Sequence, residues 1–419
     1  MALLSCLLFI TIEIIRDNIF AALHLFNKGT KLLHSIKPTT DAECDLLSTL
    51  RLTFARLGVI AATFGHPHAI DMPPEFVMVG AQKVFASMAD ARSALFALMA
   101  GAHQFIVDAA EYKANFFSRV NDPPQMSTPF RLLSNSGQAV LPAMPAKFRT
   151  RGRDGVVAYR FGQAENDVPA DAMSDAYEQY IQRTIASPLG PVHLNAEESP
   201  DGLQPSLVEK QKELELRLGQ WHDALRWQNM PSVHRQPEVA SHLLMYYHVS
   251  YIWLCTRLSP FQSAFDGFTY HFEQTVQHAE VYVDAMSKEV AHFTFEVGAV
   301  PPLYFVATKC RVPSLRRRAL QLLKRAPKKE CIWGADTTAE LAARLMTIEE
   351  EGLDLPDPYL CLRGINMLVS DEALPAESKR IHNLEILQNK VDMRYEVRIT
   401  TYQYEADGGP IAVEVDVPI

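Results

Sequence analysis

Nine basic side chains and no acidic one fall between Lys309 and Lys329. Lys and Arg at that density neutralise phosphates and release condensed counterions, so this run is where nucleic-acid chemistry would be sought first. Pro313 opens the segment that carries most of them, at a first-turn position where a missing N–H costs nothing. Leu315, Ala319, Leu322 and Leu323 then recur at spacings of three and four, predicting one apolar helical stripe. Arg316, Arg317, Arg318, Lys324 and Arg325 take the remaining faces, Pro327 ends the helix, and Lys328 and Lys329 follow. Two readings stand. These seven residues form a face for nucleic acid or an acidic partner, or they are the solvated side of a scaffold helix whose Arg stems cover apolar neighbours. The second asks less of the sequence.

Histidines offer a second chemistry. His66-Pro67-His68 presents two imidazoles with no carboxylate or third His nearby, in a loop that Pro67 keeps extended. His271 and His278 lie seven apart, on one helical face, while Glu273 and Glu280 fall at other angles. A polar helix surface is therefore expected there rather than a metal or acid–base site. Tyr246, Tyr247, Tyr251 and Trp253 are candidates for an apolar ligand pocket, in a stretch where aromatics serve equally as core. Cys6, Cys44, Cys255, Cys310, Cys331 and Cys361 are scattered without a C-x-x-C pair. They supply neither a disulfide framework nor metal-ligand spacing, and they suit a reducing compartment. With no Gly-rich phosphate loop, G-x-S-x-G elbow or metalloprotease pair, no catalytic residue, metal ligand or cofactor is assigned, and the chain is not read as an enzyme.

The elements that would position these residues are mostly helical. Of 419 residues, 48% are hydrophobic and 21% charged, which is ordinary for a globular chain able to bury a large core. The net charge of −9 confines the basic excess to the one run. Ala2 to Ile15 is apolar, lacks the flanks of a signal peptide and falls short of the ~20 residues needed to span a bilayer, so a buried helix and no membrane are expected. After a break at Arg16-Asp17-Asn18, Leu23, Phe26, Leu32 and Leu33 resume helical spacing, as do Leu47, Leu50, Phe54 and Leu57 between Asp41 and Gly65. Phe85 to Phe116 repeats the pattern with Leu95, Leu98, Met99, Phe105 and Ile106. Asn121 to Asp167 and Ala186 to Ser206 are rich in turn formers, with a short helix expected at Asp171–Thr184. Trp221 and Leu225 give the next helix an inner face, and Ser241 to Pro260 is apolar nearly all round, the mark of a central buried helix. Thr337 to Leu353 reads as a helix that Thr338 caps, with Leu341 and Leu345 as core, Glu349–Glu351 as an exposed end and Gly352 as its stop. Alternation from Val391 to Ala406, then Asp407-Gly408-Gly409, predicts a β-hairpin. The fold expected is all-α, an array of helical hairpins over 1–389 with loop-rich insertions at about 121–167 and 186–206, and a small C-terminal β-hairpin over 390–419 packed on it.

Pro301, Pro302, Leu303 and Tyr304, then Lys309, Cys310 and Arg311, then Pro313, Arg316 and Arg317, then Lys328, Lys329, Glu330 and Trp333 make an ordered series. It resembles the C-terminal signature of the fungal-specific transcription factor domain, the helical region of fungal zinc-cluster (Zn2Cys6) regulators, in the branch common near secondary-metabolite genes. Cys331 departs from the pattern, which usually has Gly there. Leu7, Leu8, Phe9, Glu13, Asn18, Ala21, Ala22, Leu23, His24, Leu25, Gly29, Leu32 and Leu33 match the domain's opening, and Leu243, Leu244, Tyr247, Ile252, Leu254, Leu258, Ser259 and Pro260 its central helix. The resemblance implies a nuclear transcription regulator of a secondary-metabolite gene cluster, pairing as a homodimer or with a DNA-binding regulator. This chain has no closely spaced cysteine cluster of the kind that reads DNA in that family. DNA contact is then expected only indirectly, unless a zinc cluster lies upstream of an assigned start that is too late. The alternative is an enzyme or small-molecule binder of a biosynthetic pathway built on the same domain.

Overall fold

Asn18 turns the first helix into the second. Its amide donates to Glu13 Oε2 at 2.8 Å while its carbonyl oxygen accepts from the Ala21 N–H at 3.3 Å, so one side chain closes the end of α1 (Ala2–Ile15) and caps α2 (Ile19–Ser35). In the computed structural model, residues 2–16, 18–38, 40–63, 85–119, 149–151, 157–160, 205–226, 237–259, 261–287, 293–294, 296–365, 368–388, 395–404 and 410–418 are described. The His66-Pro67-His68 loop and the helix expected at Asp171–Thr184 lie outside them. Thr40 and Glu43 exchange side-chain-to-backbone bonds, both 3.3 Å, as a capping box that starts α3 (Asp41–Thr63). Gly29 lets α2 meet α3 closely, because a Cβ there would stand 2.5 Å from the Phe54 ring.

The central layer is α4 (Met88–Arg119), α5 (Pro205–Arg226), α6 (Pro237–Thr256) and α7 (Thr269–Met286), with a 3-10 helix at Gln262–Phe268 between the last two. The all-round apolar stretch becomes α6, where Leu243, Met245, Ile252 and Leu254 are fully enclosed. Buried polar groups tie the layer together. The Trp221 indole donates to the Ala91 carbonyl at 2.8 Å, and Arg257 Nε donates to the Ile106 carbonyl at 3.1 Å. One continuous core runs from α1 to α11 (Tyr359–Leu362), through α8 (Val300–Lys309), α9 (Pro313–Arg325) and α10 (Ala335–Glu349).

Three expectations need correction. Helix α1 is only half buried: Leu3, Ile10 and Ile14 face α2, but Leu8 is 61% and Phe9 55% exposed. Helix α10 begins at Ala335, with Gly334 as its N-cap residue, so Thr338 lies buried inside the first turns and does not cap it. Its far end is not exposed, since Glu349 and Glu350 are buried and only Glu351 reaches solvent, to pair with Lys379 at 2.7 Å. Gly352 does follow at φ +87°, the left-handed geometry that ends a helix.

Two sheets complete the fold. Beside α8, β3 (Phe293–Thr294) pairs parallel to β4 (Lys329–Glu330), which pairs antiparallel to β5 (Trp333–Gly334). The expected hairpin is present as β7 (Tyr395–Tyr404) and β8 (Pro410–Pro418), in register from Glu396 opposite Pro418 to Tyr404 opposite Pro410; its turn lies outside the described residues. It is wider than a hairpin. β6 (Asn383–Gln388) adds to β7, and β1 (Arg149–Arg151) with β2 (Val157–Arg160) adds to β8, giving the antiparallel order β1-β2-β8-β7-β6. Val397 and Ile399 turn inward with Ile381 and pack on Leu345 of α10, so the sheet is held by its apolar face.

Candidate functional site

The signature residues meet around the ends of α8, α9 and α10. Glu330, fully enclosed on β4, accepts from the N–H groups of Gly298, Ala299 and Val300 at 2.8, 3.1 and 2.9 Å. Its carboxylate thus satisfies the free amides at the start of α8, where the helix dipole also favours negative charge. Burial pushes its pKa up to about 7, against the pull of those three amides. Glycine makes room at 298, because a Cβ would sit 2.5 Å from Glu330 Oε1 and push that carboxylate aside. Cys331 then turns back at φ +52°, the one non-glycine with positive φ among the described residues. The position where the resembled pattern has Gly is therefore a left-handed turn.

At the other end of α8 lies a buried ionic network. Arg311 and Arg316 each donate at 2.7 Å to one oxygen of Glu349, and Arg317 donates to Glu350 at 2.7 Å. Arg316 Nε also reaches the Ala307 carbonyl at 2.8 Å, Arg317 reaches that of Pro356 at 2.6 Å, and the Ile381 N–H donates to Glu349 at 2.8 Å. Burial alone would raise the Glu349 carboxyl, but Arg311 and Arg316 hold it below the usual range. The cluster joins α8, α9 and α10 to the first residue leading into the sheet.

Arg316 and Arg317 therefore do not belong to a basic face. They are 0% and 3% exposed, because the C-terminal carboxylates of α10 draw them inward. Lys324, Arg325 and Lys328 stay exposed, and Arg318 and Lys329 are partly buried. Arg318 pairs with Glu280 and Arg325 with Asp284, both on α7, while Lys324 and Lys328 share Asp336 at 2.6 and 2.8 Å. Hydrogen bonds from those two lysines hold the Asp336 carboxyl below its ordinary value. The run looks uncompensated in sequence, yet acids from two other helices offset most of it.

The four aromatics divide between two sides of α6. Tyr246 donates to the Gly298 carbonyl at 3.1 Å and Trp253 tilts against Phe305, whereas Tyr247 stacks on His222 and Tyr251 on His271. They do not converge on one pocket.

The second pair borders a cluster that spacing alone did not show. His248 of α6 sits with its Nδ1 2.9 Å from His271 Nδ1, and the rings of His278 and His222 lie 6.0 and 6.1 Å away. His271 and His278 thus face α6 rather than forming a polar surface, and Glu280 belongs instead to the Arg318 pair. Burial pushes His248 down to about 2 and His271 and His278 down to about 4; repulsion from His271, His278 and His222 adds to the first, and from His222 to the other two. Among the described residues, no group of three or more His, Cys, Asp or Glu is placed to hold a metal ion.

Lys309 was also illegible beforehand. Its ammonium is enclosed between Gln262 Oε1 at 2.8 Å and the Ile381 carbonyl at 3.2 Å, over the Phe265 ring, and burial pushes it down to about 7. Glu377 stands beside it and accepts from the Gln262 and Ser263 N–H groups at 2.7 and 2.8 Å. Both tie the 3-10 helix at Gln262–Phe268 to the segment that leads into β6.

No family model matches the chain. No solved structure matches it significantly. A 71-residue stretch is 38% identical to the Aspercryptin biosynthesis cluster-specific transcription regulator atnN of Emericella nidulans, covering 16% of this chain. The match spans 12% of that protein's length. What the chain is similar to, over that stretch, is a transcription regulator. No helix among the described residues is long and apolar enough to cross a membrane.

Proposed function

We propose that this chain is a nuclear transcription regulator of the fungal zinc-cluster type that controls a secondary-metabolite gene cluster through its helical domain. The observation that carries the reading is the 38% identity over 71 residues to a regulator named for one such cluster. The ordered series from Pro301 to Trp333 supports it, since these residues build one interlocked body at the junction of three helices and a sheet. Its contact with DNA is indirect. The cysteines of these 419 residues are widely spaced, and Arg316 and Arg317 are engaged inside the fold. The DNA reader then belongs to a partner or to sequence outside these residues.

Deleting the gene and measuring neighbouring transcripts together with pathway metabolites tests the proposal. Coordinate change of several transcripts is the expected result. Unchanged transcripts with one unprocessed intermediate accumulating would mean an enzyme instead, and would overturn it.

A further inference from the structure

Lys309 closes α8 with an amine whose two hydrogen-bond acceptors are both neutral. Its Nζ donates to Gln262 Oε1 at 2.8 Å and to the Ile381 carbonyl at 3.2 Å. Among the described residues, no carboxylate stands within ion-pair reach of it. The two acids whose charge it feels have other partners. Glu349 is divided between Arg311, Arg316 and the Ile381 N–H, and Glu377 between His382 and the N–H groups of Gln262 and Ser263. The number of donors agrees with a neutral group. An ammonium brings three N–H donors, whereas a free amine brings two and a lone pair, and two acceptors are what the fold supplies. The Phe265 ring lies 5.6 Å from Nζ, close to the outer limit of about 6 Å for a cation–π contact, so it replaces no third acceptor. Burial, then Arg311 and Arg257, push the group down to about 7 against the pull of Glu349 and Glu377. Roughly half of the molecules then carry a free amine at pH 7. A lysine desolvated beside other cations is the form that attacks a carbonyl carbon.

We propose that Lys309 is a covalent binding site for a small aldehyde or ketone, held reversibly as an imine where α8, the 3-10 helix and the segment entering β6 meet. The Nζ lone pair adds to the carbonyl carbon, and the two amine hydrogens leave with the carbonyl oxygen as water. A carbon–nitrogen double bond replaces the carbon–oxygen one, and neither an oxidant nor a reductant is consumed. The imine has no N–H and its protonated form has one, so at least one of the bonds to Gln262 and Ile381 is given up. Capture of the ligand is thereby coupled to the tie between three elements. The site rests on this amine and its neighbours and is independent of the regulatory reading.

Reductive trapping on the full wild-type chain is the test, with propanal and sodium cyanoborohydride, followed by peptide mapping in a mass spectrometer. Propanal is small, as the partly buried position of Lys309 requires. At pH 7 the propyl label is expected on Lys309 roughly tenfold or more faster than on the exposed Lys324 and Lys328, which share Asp336. That preference should shrink toward pH 9, as the Lys309 amine becomes fully free. Without the reductant, the intact mass should show an adduct one water lighter than chain plus propanal, lost on dilution and absent from Lys309→Arg. The mapping needs no variant, so it decides the question even where Lys309→Arg does not fold. Lys309 left unlabelled, or labelled no faster than Lys324 and Lys328 at pH 7, would overturn the proposal and leave the amine a structural tie.

Discussion

Glu349 shows how one carboxylate decides what a basic run means. Both its oxygens are taken, by Arg311 and Arg316, and a backbone N–H from Ile381 adds a third bond. Burying such charges is costly unless every partner is present, so removing one leaves the others uncompensated. Glu349→Ala is expected to lower unfolding free energy by about 3–5 kcal/mol. Arg325→Ala, at a half-exposed pair with Asp284, should change it by less than about 1 kcal/mol, both read by urea denaturation. Similar costs at the two sites would contradict the placement. The histidines make a second prediction. His242, like His271 and His278, is pushed down by burial to about 4, and His248 to about 2, so all four are neutral in the folded chain near pH 7. Below about 6.5 the unfolded chain takes up protons that the folded chain refuses, and stability falls from there toward pH 4. Glu215 and Glu330, raised by burial to about 7, work in the opposite direction, but they are two against four. Unfolding free energies measured from pH 7 to pH 4 should decline, and His248→Gln should flatten that decline. An unchanged slope in the variant would remove His248 from the explanation.

Elements fit together here through a few backbone approaches that admit no side chain. Gly298 is one: its missing Cβ leaves room for Glu330 to reach three amides at the start of α8, and Tyr282 crowds the same spot at 2.7 Å. Gly298→Ala should cost about 1–3 kcal/mol by displacing that carboxylate. Gly219, on α5, has nothing within 4 Å of its hypothetical Cβ, so Gly219→Ala should instead stabilise by about 0.5–1 kcal/mol through helix propensity. Thermal melts of the two variants moving in the same direction would refute this contrast. Most helices were legible in the sequence, since three-and-four spacing of residues such as Leu47, Leu50, Phe54 and Leu57 depends on nothing remote. Local pattern could not show what distant chain supplies. β6 is recognisable as a strand only beside β7, and β1 and β2 only beside β8. The outward half of α1 looks like core because composition records apolarity and not which side a neighbour covers. The same limit applied to the candidate site: the helix of Arg316 and Arg317 was visible, but their partners lie 33 residues further along, at Glu349 and Glu350.

At the scale of the whole molecule, the net charge is −9 and the basic run is partly offset by Glu280, Asp284 and Asp336. The regulation through a partner proposed above agrees with that distribution. The most direct test is fluorescence anisotropy of labelled duplex DNA titrated with the purified chain over a series of salt concentrations. If the basic residues are scaffold, binding by the chain alone should be weak at every salt concentration and indifferent to an Arg318→Glu, Arg325→Glu, Lys328→Glu variant that keeps its helicity. Tight binding that falls steeply with salt and is lost in that variant would contradict the central claim, and would make this helix a nucleic-acid surface after all.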